Sequence, residues 1–283
     1  MTILRDGQFI DSKPVSELTE DQLIQKMVGR ELNNVFDREP NALGEVVLKV
    51  EHLSKAGMFE DISFEVRAGE VLGFGGLVGA GRTEIMKSIF GFYPADSGSV
   101  LLDGKVITGK SISQTMKAGV AYLTEDRKLE GFVPYMSIAE NIAMPSYGEF
   151  SKFGIISSKK TTDLADEMIE ALHIKTTSRN KNVIELSGGN QQKVSLGKWL
   201  ARDLRVLILD EPTRGVDIGA KEEIHKIIGE FAKRGIAVIL ISSEMPELIG
   251  CSDRVAIIRN GKISGIVGED HMVQDELMRL AVL

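Results

Sequence analysis

The chain has 283 residues, 43% of them hydrophobic and 27% charged. At about 150 residues per domain, that suggests two domains, or one domain with a lobe. The 34 basic and 41 acidic residues leave a formal charge of −7. The overall field therefore offers no drive to displace counterions from phosphates, which argues against nonspecific nucleic-acid binding but not against a local basic patch. A single cysteine, Cys251, excludes an internal disulfide and fits a reducing compartment. The apolar runs VLIL and IAVILI fall far short of the roughly 20 residues of a spanning helix, and the start MTILRDGQF carries no apolar leader core.

In chain order, the two ends are alike. TILRDGQFI followed by ELTEDQLIQKMVGREL matches AIIRNGKIS followed by GEDHMVQDELMRLAVL in residue type. Each reads as a hairpin turning at Asp6-Gly7 or Asn260-Gly261, then an acidic entry into a helix. A partial internal repeat would make residues 1–34 the tail of an earlier copy; chance similarity of two hairpin-helix units is the other reading. Residues 35–44, with Pro and Gly and no periodicity, read as a linker. From residue 45 onward, strand-like runs (VVLKVEHL, EVLGFGG, GSVLLDG, GVAYL, RVLILD, IAVILIS) alternate with helix-like ones. RTEIMKSIFG closes on Gly91, and TTDLADEMIEALHI places Leu164, Met168 and Leu172 at i, i+4 and i+8. SGGNQQKVSLGKWLARDL and GAKEEIHKIIGEFAKRG are two further helices. Alternation of this kind predicts parallel βαβ units and an α/β domain. The stretch from Glu125 to Asn180 is expected to be mostly helical, a lobe between two core strands.

Three strings carry chemistry. Gly76-Leu77-Val78-Gly79-Ala80-Gly81-Arg82-Thr83 has the spacing of a phosphate-binding loop between a strand and a helix, with Arg82 where lysine is expected. Its backbone N–H groups would wrap phosphates at a helix N-terminus, and Thr83 would offer a hydroxyl to Mg²⁺. A glycine-rich turn that binds nothing has the same spacing. RVLILDEPT ends an apolar strand in Asp210, placed to hold a cation, and Glu211, placed to polarise an attacking water; a plain turn is the alternative. LSGGNQQK, residues 186–193, starts a helix with Ser187, Gly188 and Gly189, again an anion-binding geometry. An N-cap role explains Ser187 alone.

The last string resembles the signature motif of ATP-binding cassette (ABC) ATPases. The order of phosphate loop, helical region, signature and acidic strand end matches that family over residues 45–283. GLVGAGRT, YLTEDRK and LSGGNQQKVSLGKWL resemble the second cassette of the tandem ribose and galactose import ATPases. The resemblance implies a P-loop NTPase cassette: a RecA-like core sheet, an antiparallel β subdomain and a helical subdomain at about 125–190. It implies ATP and Mg²⁺ as cofactors, with Thr83, Asp210 and Glu125 toward the metal. It implies two cassettes sandwiching two nucleotides, each between one phosphate loop and the other cassette's signature. The implied partners are a first cassette in the same polypeptide or a second cassette, membrane permease subunits and, indirectly, a sugar-binding protein, with no nucleic acid. The implied location is the cytoplasmic face of the plasma membrane.

Measured against that family, Arg82 replaces lysine, Glu125 stands where glutamine is expected, and Ser243 stands where the switch histidine is expected. The three together predict a site that binds ATP and hydrolyses it poorly, while the intact signature serves a partner's site. Asp217 resembles the loop aspartate that crosses between cassettes, and it also fits a helix N-cap. Phe59, beside Met58, is the nearest candidate for adenine stacking, with a core role equally open. His52, His173, His225 and His271 lack metal-ligand spacing, and Trp199 is read as core. GFVPYMSIAEN, residues 131–141, is a candidate permease patch or the core of the lobe. Two other functions remain in view: a nonhydrolytic regulatory or dimerisation cassette, and a soluble ABC ATPase acting outside transport.

Overall fold

The computed structural model describes residues 2–5, 8–14 and 41–282. The terminal hairpin is present as β1 (Thr2–Arg5) paired antiparallel with β2 (Gln8–Ser12). Its turn, Asp6-Gly7, the helix expected after it and most of the linker lie outside the described residues.

An antiparallel sheet follows. β3 (Val46–Lys55) pairs with β4 (Phe59–Arg67) and β6 (Ser97–Leu102), and β7 (Lys105–Val106) closes the order β4-β3-β6-β7. β4 was not expected from the sequence. Its buried set is Phe59, Ile62, Phe64 and Val66, and a left-handed residue, Asp61 at φ 56°, breaks the alternation after Phe59.

The main sheet has the order β14-β13-β5-β12-β11-β8. Its strands are β5 (Val71–Gly76), β8 (Val120–Leu123), β11 (Val206–Asp210), β12 (Ala237–Ile241), β13 (Arg254–Arg259) and β14 (Lys262–Gly268). All neighbours are parallel except β13–β14. β5, β8, β11 and β12 are buried at every position, as expected where a parallel sheet is covered on both faces. Each fully buried Leu or Ile in them, such as Leu207 or Ile239, contributes about 1.5–3 kcal/mol. The β13–β14 turn is Asn260-Gly261, at φ 50° and 73°, the left-handed pair that the sequence signal requires.

Helices flank the sheet: α1 (Arg82–Phe90), α2 (Ile112–Lys117), α7 (Ile218–Lys233), α8 (Met245–Cys251) and α9 (Gln274–Val282). α1 stops at Gly91, φ 98°, whose N–H returns to Ser88. α8 and α9 pack Leu248 and Leu277 against Val255 and Ile257 in a second core cluster.

Between β8 and β11 lies the predicted lobe. It holds α3 (Ile138–Ala143), α4 (Tyr147–Phe150), α5 (Ser158–Ala171) and α6 (Gly188–Leu200). Ser137 and Glu140 form a capping box on α3, and Ser157 caps α5. The expectation of a mostly helical stretch needs one amendment. β9 (Ser151–Lys152) and β10 (Ile155–Ile156) form a hairpin inside it, turning at Phe153 and Gly154. Trp199 and Phe59 are both core residues.

Candidate nucleotide site

Parallel strands deliver their C-terminal ends to one edge, the usual ligand edge of an open α/β sheet. Here β5 ends at Gly76, β11 at Asp210 and β12 at Ile241, just before Ser242-Ser243. Gly76, at φ 146°, passes so close to β13 that a Cβ would lie 2.3 Å from the Ile258 carbonyl, so only glycine fits the exit from the strand. The loop it begins is held by Gly261, whose N–H donates to the Ala80 carbonyl at 2.9 Å. α1 then opens at Arg82 without a side-chain cap, leaving its first N–H groups facing the loop.

A cavity of about 320 Å³ lies at this edge. Val78, Gly79, Ala80, Gly81, Arg82, Thr83, Glu84, Glu125, Asp210, Glu211, Arg214 and Ser243 line it. The loop, the acidic strand end and all three departing positions therefore converge on one space. Gly76 and Leu77 support the loop from outside the lining.

Asp210 is fully buried. Its Oδ2 accepts from the Tyr122 hydroxyl at 2.6 Å, and Oδ1 has no hydrogen-bond partner. Burial pushes its pKa up to about 6, against the pull of the Tyr122 and Thr83 hydroxyls. A buried carboxylate oxygen left unpaired beside a threonine hydroxyl fits a hard divalent cation or one of its waters.

Glu211 sits in the left-handed region at φ 49°. Its Oε2 accepts from the Ser243 hydroxyl at 3.1 Å, and Oε1 lies 3.8 Å from Arg82 Nη1. Burial raises its pKa; contacts with Ser243 and Arg82 oppose the rise. A raised pKa makes the carboxylate a stronger base toward water.

Arg82 does not lie open in the loop. Its guanidinium is buried and donates from Nη1 to the Ser242 carbonyl at 2.7 Å. Glu125 is ion-paired with Arg214, a cavity residue that the sequence reading missed. Arg214 follows the acidic strand end by four residues in EPTR, and nothing in that string marks its side chain as turning back toward Glu125.

Behind the cavity, Glu247 Oε1 is buried against His225 Nε2 at 2.6 Å and the Thr213 hydroxyl at 2.8 Å. Burial pushes the Glu247 pKa up, but hydrogen bonds from His225, Ser242 and Thr213 outweigh it and hold the group below its ordinary value. His225 is thus structural, and among the described residues no group of three or more His, Cys, Asp or Glu side chains is gathered as a metal cage.

Ser187, Gly188, Gly189 and Asp217 lie outside the cavity lining. Ser187 is exposed at the N-cap position of α6 but does not cap it; its Oγ accepts from Asn190 Nδ2 at 2.9 Å. Close approach requires a glycine at 189 and leaves only a tight fit for a side chain at 188. A Cβ on Gly189 would come 2.6 Å from the Ala220 Cβ, and one on Gly188 would come 3.2 Å from the Gly215 carbonyl. Asp217 caps α7, with Oδ1 accepting from Ala220 N at 3.0 Å, and remains exposed. Phe59 is 4% exposed and presents no face for stacking, whereas Met58 beside it is 38% exposed.

The glycine-rich loop between β5 and α1 at the edge of a parallel sheet gives the chain the fold of a P-loop cassette. The family profile described as "ABC transporter" matches residues 59–214, more than half of the chain, and the chain belongs to that family. It is 48% identical over 281 residues to the ribose import ATP-binding protein RbsA of Geobacillus kaustophilus, covering 99% of this chain and 57% of the relative. It is 46% identical to a putative ribose/galactose/methyl galactoside import ATP-binding protein of Rhizobium etli, covering 99% and 54%. The chain thus spans just over half the length of the curated relatives it matches. Among solved structures, the ADP conformation of MJ1267, an ATP-binding cassette of an ABC transporter, superposes with a TM-score of 0.72 at 22% identity, covering 83% of this chain and 98% of that one. A nucleotide-free ATP-binding cassette gives 0.73 at 21% identity, covering 84% and 100%. These two show the fold: an ABC cassette of mixed parallel and antiparallel sheets with a helical lobe.

Proposed function

We propose that this chain is the second nucleotide-binding cassette of a sugar-import ATPase, coupling ATP binding and hydrolysis to uptake of a monosaccharide such as ribose or galactose. On this reading residues 1–34 are the tail of a first cassette, 35–44 a linker and 45–283 the cassette. Its partners are that first cassette, permease subunits that meet the lobe near residues 131–141, and indirectly a sugar-binding protein. It works at the cytoplasmic face of the membrane; no helix among the described residues is long and apolar enough to cross one. The names of the relatives and the near-complete coverage of this chain support the reading.

ATP would seat its phosphates on the loop 76–83. Thr83 and Asp210 would hold Mg²⁺, joined by Glu125 once it leaves Arg214, and the cation would neutralise charge on the phosphates. Glu211 would orient and deprotonate water. The observation that carries the division of labour is the fate of Arg82: its charge is spent on the Ser242 carbonyl and Glu211. Arginine is a planar fork, so a phosphate must compete with those partners, whereas a lysine would present a mobile point charge. Ser243 offers a hydroxyl to Glu211 and no imidazole. The cassette's own site would therefore bind ATP and turn it over slowly, and exposed Ser187 with Gly188 and Gly189 would complete the partner's site.

Paired substitutions in the complete tandem protein test this. Ser187→Arg should abolish most turnover, and Glu211→Gln should leave most of it. The reverse pattern rejects the assignment. A nonhydrolytic regulatory cassette is favoured by the same Arg82 geometry and predicts no loss at all from Glu211→Gln.

A further inference from the structure

One side chain joins three loops of this cassette and lies outside the cavity. Just beyond β8, Asp126 accepts from the N–H groups of Lys128 and Leu129 and starts a single wide helical turn, residues 127–131. That turn sends Arg127 across to the loop after β11. Nη1 donates to the Arg214 carbonyl at 2.6 Å and Nη2 to the Gly215 carbonyl at 3.0 Å. The same fork lies against the signature: a Cβ on Gly188 would come 3.0 Å from Arg127 Nη2. Meanwhile the Arg214 side chain returns to Glu125, two residues before Arg127 and inside the cavity. Segments 125–127 and 214–215 are thus clasped twice, once through each arginine, with Gly188 packed on the clasp.

We infer that Arg127 is a positioning residue that passes the occupancy of this cassette's nucleotide cavity to its own signature loop. Bound phosphates and a cation act first on the Glu125–Arg214 pair, because both side chains line the cavity. The loop that carries Arg214 then shifts, and Arg127 holds that loop by two backbone carbonyls. A rigid two-pronged donor transmits such a shift to Gly188, where a single flexible ammonium would not. By linkage, whatever orders Ser187-Gly188-Gly189 from outside alters nucleotide affinity in the cavity by the same factor. The inference rests on the proposal that this cavity binds ATP. If the signature serves a partner's nucleotide, the weak site thereby gates the strong one.

Hydrogen–deuterium exchange on this chain tests the relay, with and without saturating Mg-ATP, for wild type, Arg127→Ala and Arg127→Lys. In the wild type, exchange should change by about threefold or more both in loop 76–83 and in residues 186–191. In Arg127→Ala the first response should remain and the second vanish. Arg127→Lys, which keeps the charge and decides the matter if the alanine variant does not fold, should lose most of the second response. A signature response that persists in the variants overturns the relay. So does a wild type in which loop 76–83 responds and 186–191 does not. No response anywhere in the wild type overturns ATP binding itself, and the relay with it.

Discussion

Arg82 donates to the backbone carbonyl of Ser242 at 2.7 Å, across 160 residues of sequence, and so joins the phosphate-binding loop to the strand end that carries Ser243. The contact places a permanent cation 3.8 Å from Glu211 and holds it by a directed hydrogen bond. Exchanging Arg82 for lysine removes the fork and keeps the charge. Arg82→Lys should tighten Mg-ATP binding about three- to tenfold in titration calorimetry, because the phosphates no longer compete with a carbonyl for the cation. Unchanged or weaker binding would show that the fork already serves the phosphates.

Glu125 brings negative charge to the cavity proposed to hold phosphates, and Arg214 offsets it. Both side chains are well exposed, so the pair itself contributes at most about 1 kcal/mol to stability. Glu125→Gln should therefore leave the unfolding midpoint nearly unchanged. It should lower the Kd for Mg-ATP severalfold, and more so at low salt. Calorimetry at two ionic strengths reads both effects.

Asp210 has a folded pKa of about 6 against 3.8 for the free group. Between those values the native state binds more protons than the unfolded state. This group's contribution therefore favours folding at low pH and is lost as pH rises through about 6. Asp210→Asn should stabilise the nucleotide-free protein at pH 7.5 by roughly 1–3 kcal/mol and flatten this part of its pH profile. Chemical denaturation at pH 5 and pH 7.5 measures it. The same substitution should abolish the effect of Mg²⁺ on ATP affinity.

Gly189 packs against the first turn of α7, where an added Cβ would meet that of Ala220 at 2.6 Å. Gly189→Ala should destabilise the chain by about 1–3 kcal/mol despite the better helix propensity of alanine. A neutral or stabilising result in urea denaturation would mean that α6 and α7 shift apart easily.

Much of this molecule is legible along the chain. The strand-glycine-helix string at 71–90 and the apolar run into Asp210 each appear as read, because local period and turn chemistry agree with the tertiary environment. Asn260-Gly261 turns its hairpin for the same reason. What escaped was set by pairs distant in sequence or by short irregular elements. The destination of Arg82 depends on a carbonyl 160 residues away, and the Glu125–Arg214 pair spans 89 residues. β4 was hidden by the left-handed Asp61, and the β9–β10 hairpin by strands of two residues each. The sequence marks the signature glycines for anion binding, but not that their missing side chains leave room for Gly215, Arg127 and Ala220.

On the proposed reading, this cassette's own site holds ATP without efficient turnover. Bound ATP and released phosphate, measured together on this chain at saturating Mg-ATP, test it most directly. Near-stoichiometric binding is expected, with turnover below about 0.01 per second that falls further in Glu211→Gln. Turnover of about 1 per second or more, abolished by Glu211→Gln, would contradict it.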